Sequence, residues 1–182
     1  MNYPWVEVLD YACDWAQGET SVTGAATAVA AGVYDMDDTN SNIEFHLSSD
    51  YIDIDGFYLS DFLYDIQNSG NVYVNCYDCS NLFCIFSRAI GCGSQTKKGE
   101  GNITTWPIYL IGAGDAFSED FGSHQFGVIG NYVYDASLVF YGLYYPHDPV
   151  YPYNMGFGTY TSGLIQSGSM TYDAPETPTI AN

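Results

Sequence analysis

Apolar positions recur at helical spacing through the first half of the chain, and give way to short extended runs in the second. Trp5, Val8, Leu9 and Ala12 follow Pro4, a residue suited to a first helical turn, and predict a helix over residues 4–16. An alanine-rich helix is predicted from Ser21 to Ala31, capped by Thr20 or Ser21, stopped by Gly32 and small enough to pack closely on a neighbour. Asp35 to Asn40 reads as an exposed acidic loop. Ser60 caps a short helix to about Gln67 with Phe62, Leu63 and Ile66 inward, and Gly70 closes it. Val72-Tyr73-Val74 is a brief extended approach to the clearest helix, Cys76 to Ile90. There Cys79, Leu82, Phe83, Phe86 and Ile90 form one apolar face, Asn75 is a suitable N-cap, Asp78 suits the positive end of the helix and Gly91 ends it.

Gly93 to Asn102 reads as a polar loop carrying Lys97 and Lys98. Beyond it Trp106–Ile111, Gln125–Ile129, Tyr132–Leu138 and Val139–Tyr144 are strand candidates, and Pro146, Pro149 and Pro152 break the next stretch into turns. One domain is expected over residues 1–170, with the Thr- and Pro-rich residues 171–182 as a tail or linker.

Composition narrows the partners. The chain has 182 residues, enough for one domain with a real core, and its 18 tyrosines and 19 glycines lean toward β structure and turns. Its formal net charge is −19, with Arg88, Lys97 and Lys98 the basic residues. Such a surface repels phosphate backbones and anionic lipid, so neither nucleic acid nor a membrane is expected as a partner, and a neutral or basic protein or peptide fits better. No apolar run approaches the roughly 20 residues of a membrane helix. Met1-Asn2-Tyr3-Pro4-Trp5 has no basic n-region, so no signal peptide is read there, which leaves a secreted or extracellular location compatible with a trimmed form.

The odd cysteine count (Cys13, Cys76, Cys79, Cys84, Cys92) fits one working thiol plus four others that form two disulfides in any of three pairings, or none. Cys76-Tyr77-Asp78-Cys79 is a C-x-x-C, but no second ligand pair has suitable spacing for zinc. Asp50, Asp53, Asp55 and Gly56 resemble a loose calcium loop whose spacing departs from an EF-hand, so a solvated acidic loop is the better reading. His46 and His147 read as structural or solvent-facing, and Arg88 as a partner in a structural ion pair.

Three residues carry candidate chemistry: Cys76, His124 and Asp135. A cysteine attacks as its thiolate, which the positive end of a helix and a nearby imidazolium both favour, and Cys76 stands at a predicted helix start. Backbone N–H groups there suit an oxyanion, whereas Asp78 opposes a thiolate unless it points outward. Taking Gly130-Asn131 as a two-residue turn sets Ile129 opposite Tyr132 and His124 opposite Ser137, with Asp135 the diagonal neighbour of His124. An Asp–His hydrogen bond would fix the tautomer of the ring and leave its other nitrogen for a thiol.

Cys76-Tyr77-Asp78-Cys79-Ser80-Asn81-Leu82-Phe83 followed by Arg88-Ala89-Ile90-Gly91 resembles the nucleophile helix of the transglutaminase-like superfamily. His124-Gln125-Phe126-Gly127-Val128 resembles its histidine-led strand, and Asp135 in Val-Tyr-Asp-Ala the acid of the next. The resemblance covers about residues 70–140. It implies an α+β fold with a papain/transglutaminase-like core, in which a nucleophile helix packs on an antiparallel β-sheet, here preceded by an N-terminal helical segment. It also implies a Cys76-His124-Asp135 triad that transfers acyl groups through a thioester, as peptidase, deamidase or transglutaminase, with no cofactor. The usual Gly-Ile-Pro-x-Arg continuation is replaced by Gly91-Cys92-Gly93-Ser94, and Asn75, Tyr73 and Trp106 are candidate oxyanion side chains. A toxin-like deamidase shares this chemistry, and a non-catalytic binding or structural module on the same scaffold is the alternative. With only Lys97 and Lys98, an enzyme joining amines to acyl groups would modify itself little.

Overall fold

The computed structural model describes residues 4–38, 42–48, 51–68, 71–116, 118, 120–141 and 149–181. The chain is α+β, with helices gathered mostly in its first half and a five-stranded antiparallel sheet in its second. Helices α1 (Pro4–Trp15) and α2 (Val22–Tyr34) pack on α4 (Cys76–Ala89), and α3 (Leu59–Asn68) packs on α1. Short strands β1 (Asn42–Phe45) and β4 (Asn71–Val74) pair in parallel, and β2 (Ile52–Asp53) with β3 (Gly56–Phe57) makes a small hairpin.

Ser21 caps α2 by accepting the Gly24 N–H at 3.0 Å. The helix does not stop at Gly32, as the sequence suggested. It runs on to Tyr34 and a 3-10 turn (Asp35–Asp38), because Gly32 faces the Trp15 ring, where a Cβ would lie 2.2 Å from a ring carbon. The glycine there permits helix contact rather than marking an end.

The main sheet has the order β10-β8-β7-β5-β11. Its members are β5 (Gln95–Thr105), β7 (Asp120–Ile129), β8 (Tyr132–Tyr134), β10 (Tyr153–Gly156) and β11 (Ile165–Tyr172); β6 (Ile108–Leu110) pairs separately with β9 (Leu138–Phe140), and α5 (Phe157–Leu164) links β10 to β11. The largest difference from expectation is β5. The stretch expected as a polar lysine-bearing loop is the long strand beside β7. It reads as a loop because Gly99, Gly101 and a run of polar side chains break apolar alternation, yet Thr96, Gly99, Ile103 and Thr105 are buried along it. Of the expected strand Val139–Tyr144, residues 142–144 lie outside the described residues, as do Pro146, His147, Asp50, Gly70, Thr39 and Asn40.

Gly130 takes φ +59° in the β7–β8 turn, whereas Asn131 is not in the positive-φ region, so glycine at the first turn position carries the reversal. The pairing is Ile129 with Tyr132 and Gly127 with Tyr134, as the turn predicts, but the ladder ends there. The Asp135 N–H turns instead to the Pro152 carbonyl at 3.1 Å.

Two apolar clusters use the two faces of this sheet. Tyr134 belongs with Phe83, Phe86, Leu82 and the helices; Phe126, Val128 and Val133 belong with Ile103, Leu138, Tyr160 and Leu164. Helix α4 seats on the first face through Gly127, whose missing Cβ would lie 2.1 Å from Phe83, and the Phe83 ring stacks on Tyr134 at 5.2 Å and 11°. The stretch expected as a tail continues β11 to Tyr172 and then lies along the domain. Thr96 exchanges backbone hydrogen bonds with Glu176, and Phe57 does so with Thr179 and Ala181.

Candidate active site

Helix α4 begins where its cap is made. Asn75 accepts the N–H groups of Tyr77 and Asp78 at 2.8 and 3.2 Å, and the Asp78 carboxylate accepts the Asn75 N–H at 3.0 Å. This reciprocal capping box answers the concern about Asp78. The residue does not point outward; it is buried and bonded back to the helix entry, so part of its charge is spent on that backbone N–H. Cys76 is the first residue of this helix and is 5% exposed.

The first turn of α4 is tied to β7. The Tyr77 hydroxyl donates to Ser123 Oγ at 2.9 Å, next to His124, and Gln125 donates to Ser80 Oγ at 2.7 Å on the other side of that residue. His124 thus sits on a strand clamped to the leading end of the helix that Cys76 opens. Its Nε2 lies 2.7 Å from Asp135 Oδ2. Its Nδ1 is buried with no hydrogen-bond partner among the described residues, and Cys76 is the group on α4 that bears on the titration of the ring. Both His124 and Asp135 are buried.

Asp135 is held at both oxygens. Oδ1 accepts the Ser137 N–H at 2.9 Å and the Ser137 hydroxyl at 2.6 Å, while Oδ2 accepts the Tyr160 hydroxyl at 2.6 Å in addition to His124. The Tyr160 oxygen also lies 2.9 Å from His124 Nε2. The Phe121 ring stacks against the imidazole at 5.3 Å and 22°.

These contacts set the charges. Burial pushes the imidazole toward its neutral form, but the Asp135 carboxylate, to which it is hydrogen-bonded, and the Cys76 sulfur outweigh it, raising the His124 pKa to about 10. Burial likewise raises Asp135, and His124, Ser137 and Tyr160 together more than reverse this, leaving the carboxyl below its ordinary value. The two shifts describe one ionised pair.

The other thiols are set apart. All five cysteines are free, so of the alternatives the sequence leaves open, two disulfides or none, the structure has none; Cys13 is exposed and the rest are buried. Burial, with Asp78, Asp135 and Cys76 nearby, pushes Cys79 far up; burial pushes Cys84 up to about 12 and raises Cys92. Among the described residues no three His, Cys, Asp or Glu side chains come together in a way that could hold a metal ion. In the acidic hairpin Asp53 accepts the Asp55 N–H and the Tyr58 hydroxyl. Arg88 donates to the Ser94 carbonyl at 2.9 Å where an ion pair was expected, and exposed His46 bonds Ser48.

Of the oxyanion candidates, Asn75 is occupied by the cap, the Tyr73 ring lies against His46, and Trp106 donates its backbone N–H to the Leu164 carbonyl. Neither Tyr160 nor Ser137 stands out in the sequence as a site residue. Ser137 was within reach, since the turn register sets it opposite His124. Tyr160 arrives from α5, one of 18 tyrosines, and no local pattern marks it.

Compared with family models, curated proteins and solved structures, the chain shows no match.

Proposed function

We propose that this chain is a cysteine acyl-transfer enzyme of the transglutaminase-like type, built on a papain-like core, with Cys76 as nucleophile, His124 as base and acid, and Asp135 as the orienter of His124. The observation that carries this reading is the state of the imidazole. Its Nε2 is committed to Asp135, while its buried Nδ1 has no hydrogen-bond partner among the described residues and lies under the influence of the Cys76 sulfur. A buried ring nitrogen without a partner is unfavourable by about 1–3 kcal/mol, so its survival suits a task rather than packing. The charged ring already holds a proton at Nδ1, so the sulfur adds to an amide carbonyl as the thiolate, Nδ1–H protonates the departing amine as the thioester forms, and the ring, now neutral at Nδ1, takes a proton from the incoming water or amine. Water or an amine then releases the acyl group. The Asn75 cap engages the Tyr77 and Asp78 N–H groups and the Asn75 carbonyl that of Cys79, so on this reading the Cys76 N–H is the first-turn donor that serves the oxyanion. No cofactor enters these steps, and the acidic surface favours a neutral or basic protein or peptide substrate.

The burial of Cys76 favours one second reading, a binding or structural module that keeps the scaffold without turnover. Alkylation with iodoacetamide across pH separates the two. On the enzyme reading Cys76 reacts well below pH 8, where an ordinary thiol is largely protonated, and loses that advantage in His124→Ala. Uniformly slow labelling of all five cysteines would exclude catalysis. A glutamine peptide with a fluorescent primary amine then distinguishes transfer from hydrolysis.

A further inference from the structure

The contacts around Asp135 assign a role to a residue outside the three. Tyr160 Oη, Asp135 Oδ2 and His124 Nε2 form a near-equilateral triangle with sides of 2.6, 2.7 and 2.9 Å. The carboxylate is the one corner that cannot donate. A bare Nε2 lone pair at 2.7 Å from it would be repelled, so Nε2 carries a proton whether the ring is charged or neutral. The Tyr160 proton therefore goes to Oδ2 as well, since the protonated Nε2 has no lone pair to receive it. What Tyr160 turns toward Nε2–H is its oxygen lone pair.

We propose that Tyr160 is a positioning residue of this site: its hydroxyl donates to Asp135 Oδ2 and accepts from His124 Nε2–H, fixing the ring so that only Nδ1 exchanges a proton with Cys76. The proposal rests on the catalytic reading of the site for its function, and on geometry alone for the placement. Tyr160 is fully buried and packs against Phe126 and Phe140 at 4.9 and 5.7 Å between ring centroids, so its hydroxyl has a fixed origin. Ser137 fills Oδ1 with two donors, which leaves Oδ2 as the place where a second donor can act.

The carboxylate is surrounded by His124 on β7, Ser137, Tyr160 on α5, Tyr153 on β10 and Cys79 on α4. At acid pH the two phenols and the Cys79 thiol are neutral, so His124 is the charged neighbour and Tyr160 and Ser137 are the neutral donors. Removing the Tyr160 hydroxyl takes a hydrogen bond from the carboxylate and makes it easier to protonate.

The test uses 15N NMR of the His124 ring in the full chain, together with the iodoacetamide rate at Cys76. In the wild type, Nε2 keeps its proton at the alkaline end of the titration and Nδ1 gives its own up. In Tyr160→Phe, the acid-side break in the His124 ring signals moves to higher pH by about one unit, and Cys76 alkylation slows by about tenfold, the lower end for losing one hydrogen bond to a charged group. A wild-type neutral ring protonated at Nδ1 would overturn the proposal without any variant being needed. So would a folded Tyr160→Phe protein with an unmoved acid break and an unchanged rate, while His124→Ala still silences Cys76. Should wild-type Cys76 prove no more reactive than exposed Cys13, the catalytic reading fails, and the two NMR measurements still decide whether Tyr160 positions the ring.

Discussion

Replacing Asp135 by asparagine preserves shape and removes charge, and the four donors around the carboxylate make its outcome predictable. Ser137 N–H and Oγ–H address Oδ1; Tyr160 O–H and His124 Nε2–H address Oδ2. An amide brings an NH2 to one of these places. At Oδ1 it would meet the Ser137 backbone N–H, which cannot move. At Oδ2 it meets Tyr160, whose hydroxyl can rotate, and His124, whose ring can shift its proton to Nδ1. The amide therefore settles with its nitrogen toward His124, and the ring nitrogen facing the sulfur ceases to be a base. Leaving a buried ionisable group without its partner costs about 3–5 kcal/mol. For a domain of this size that is about 6–20 °C in thermal midpoint. The sign with pH is sharper than the size. His124 is raised to about 10 when folded, so its contribution is complete below its unfolded value near 6.5 and fades as pH rises toward 10. Asp135 is lowered, so its contribution is present above its unfolded value near 3.8 and lost as pH falls below it. In Asp135→Asn the buried ring loses its counter-charge, and burial then makes protonation unfavourable. The stability gap between wild type and variant is thus widest near pH 5–6 and narrows toward pH 9. Thermal or urea unfolding of both proteins across that range measures it; a gap that stays constant or widens with pH would refute the ionised pair.

Gly127→Ala is expected to destabilise the fold by about 1–3 kcal/mol, because its methyl would overlap Phe83 on a helix with no slack, with urea midpoints as the measure. The same change lifts α4 from β7, so Cys76 alkylation should slow as well. Asn75→Ala removes the acceptor for two N–H groups and is expected to lower stability by about 0.5–2 kcal/mol. Asp78→Ala made on top of it should add less than it does alone, since the two side chains close one capping box, and a double-mutant cycle reads this directly.

The helices were legible because burial on one face leaves a 3.6-residue rhythm, and Asn75 with Gly91 punctuates α4 at both ends. The β7–β8 register was legible from a two-residue turn. Strand β5 was not. Its inward positions are filled by threonine and glycine as often as by large apolar side chains, so the period that betrays a strand is missing, and what makes it a strand is the neighbours it pairs with. The ending of β8 at Tyr134 has the same origin: Pro152, far along the chain, takes the Asp135 N–H. Within the site, Cys76, His124 and Asp135 stood out through local context, whereas Tyr160 depends wholly on where α5 lands. The polar stretch from Thr171 reads as a tail because its attachments are made by backbone groups, which composition does not report.

The two lysines add a consequence for the fate of an acylated Cys76. Lys97 gives its ammonium to the Asp173 carbonyl and lies over the Phe157 ring; Lys98 is bound to Glu100 and lies over the Tyr77 ring, one residue from Cys76. Burial lowers the pKa of Lys98 less than its Glu100 hydrogen bond raises it, so it stays an ammonium without a lone pair. That amine is thus disarmed as a nucleophile. On the proposed acyl-transfer reading, an acyl group parked at Cys76 would wait for a visitor from solvent, and the protein would remain unmarked by its own reaction.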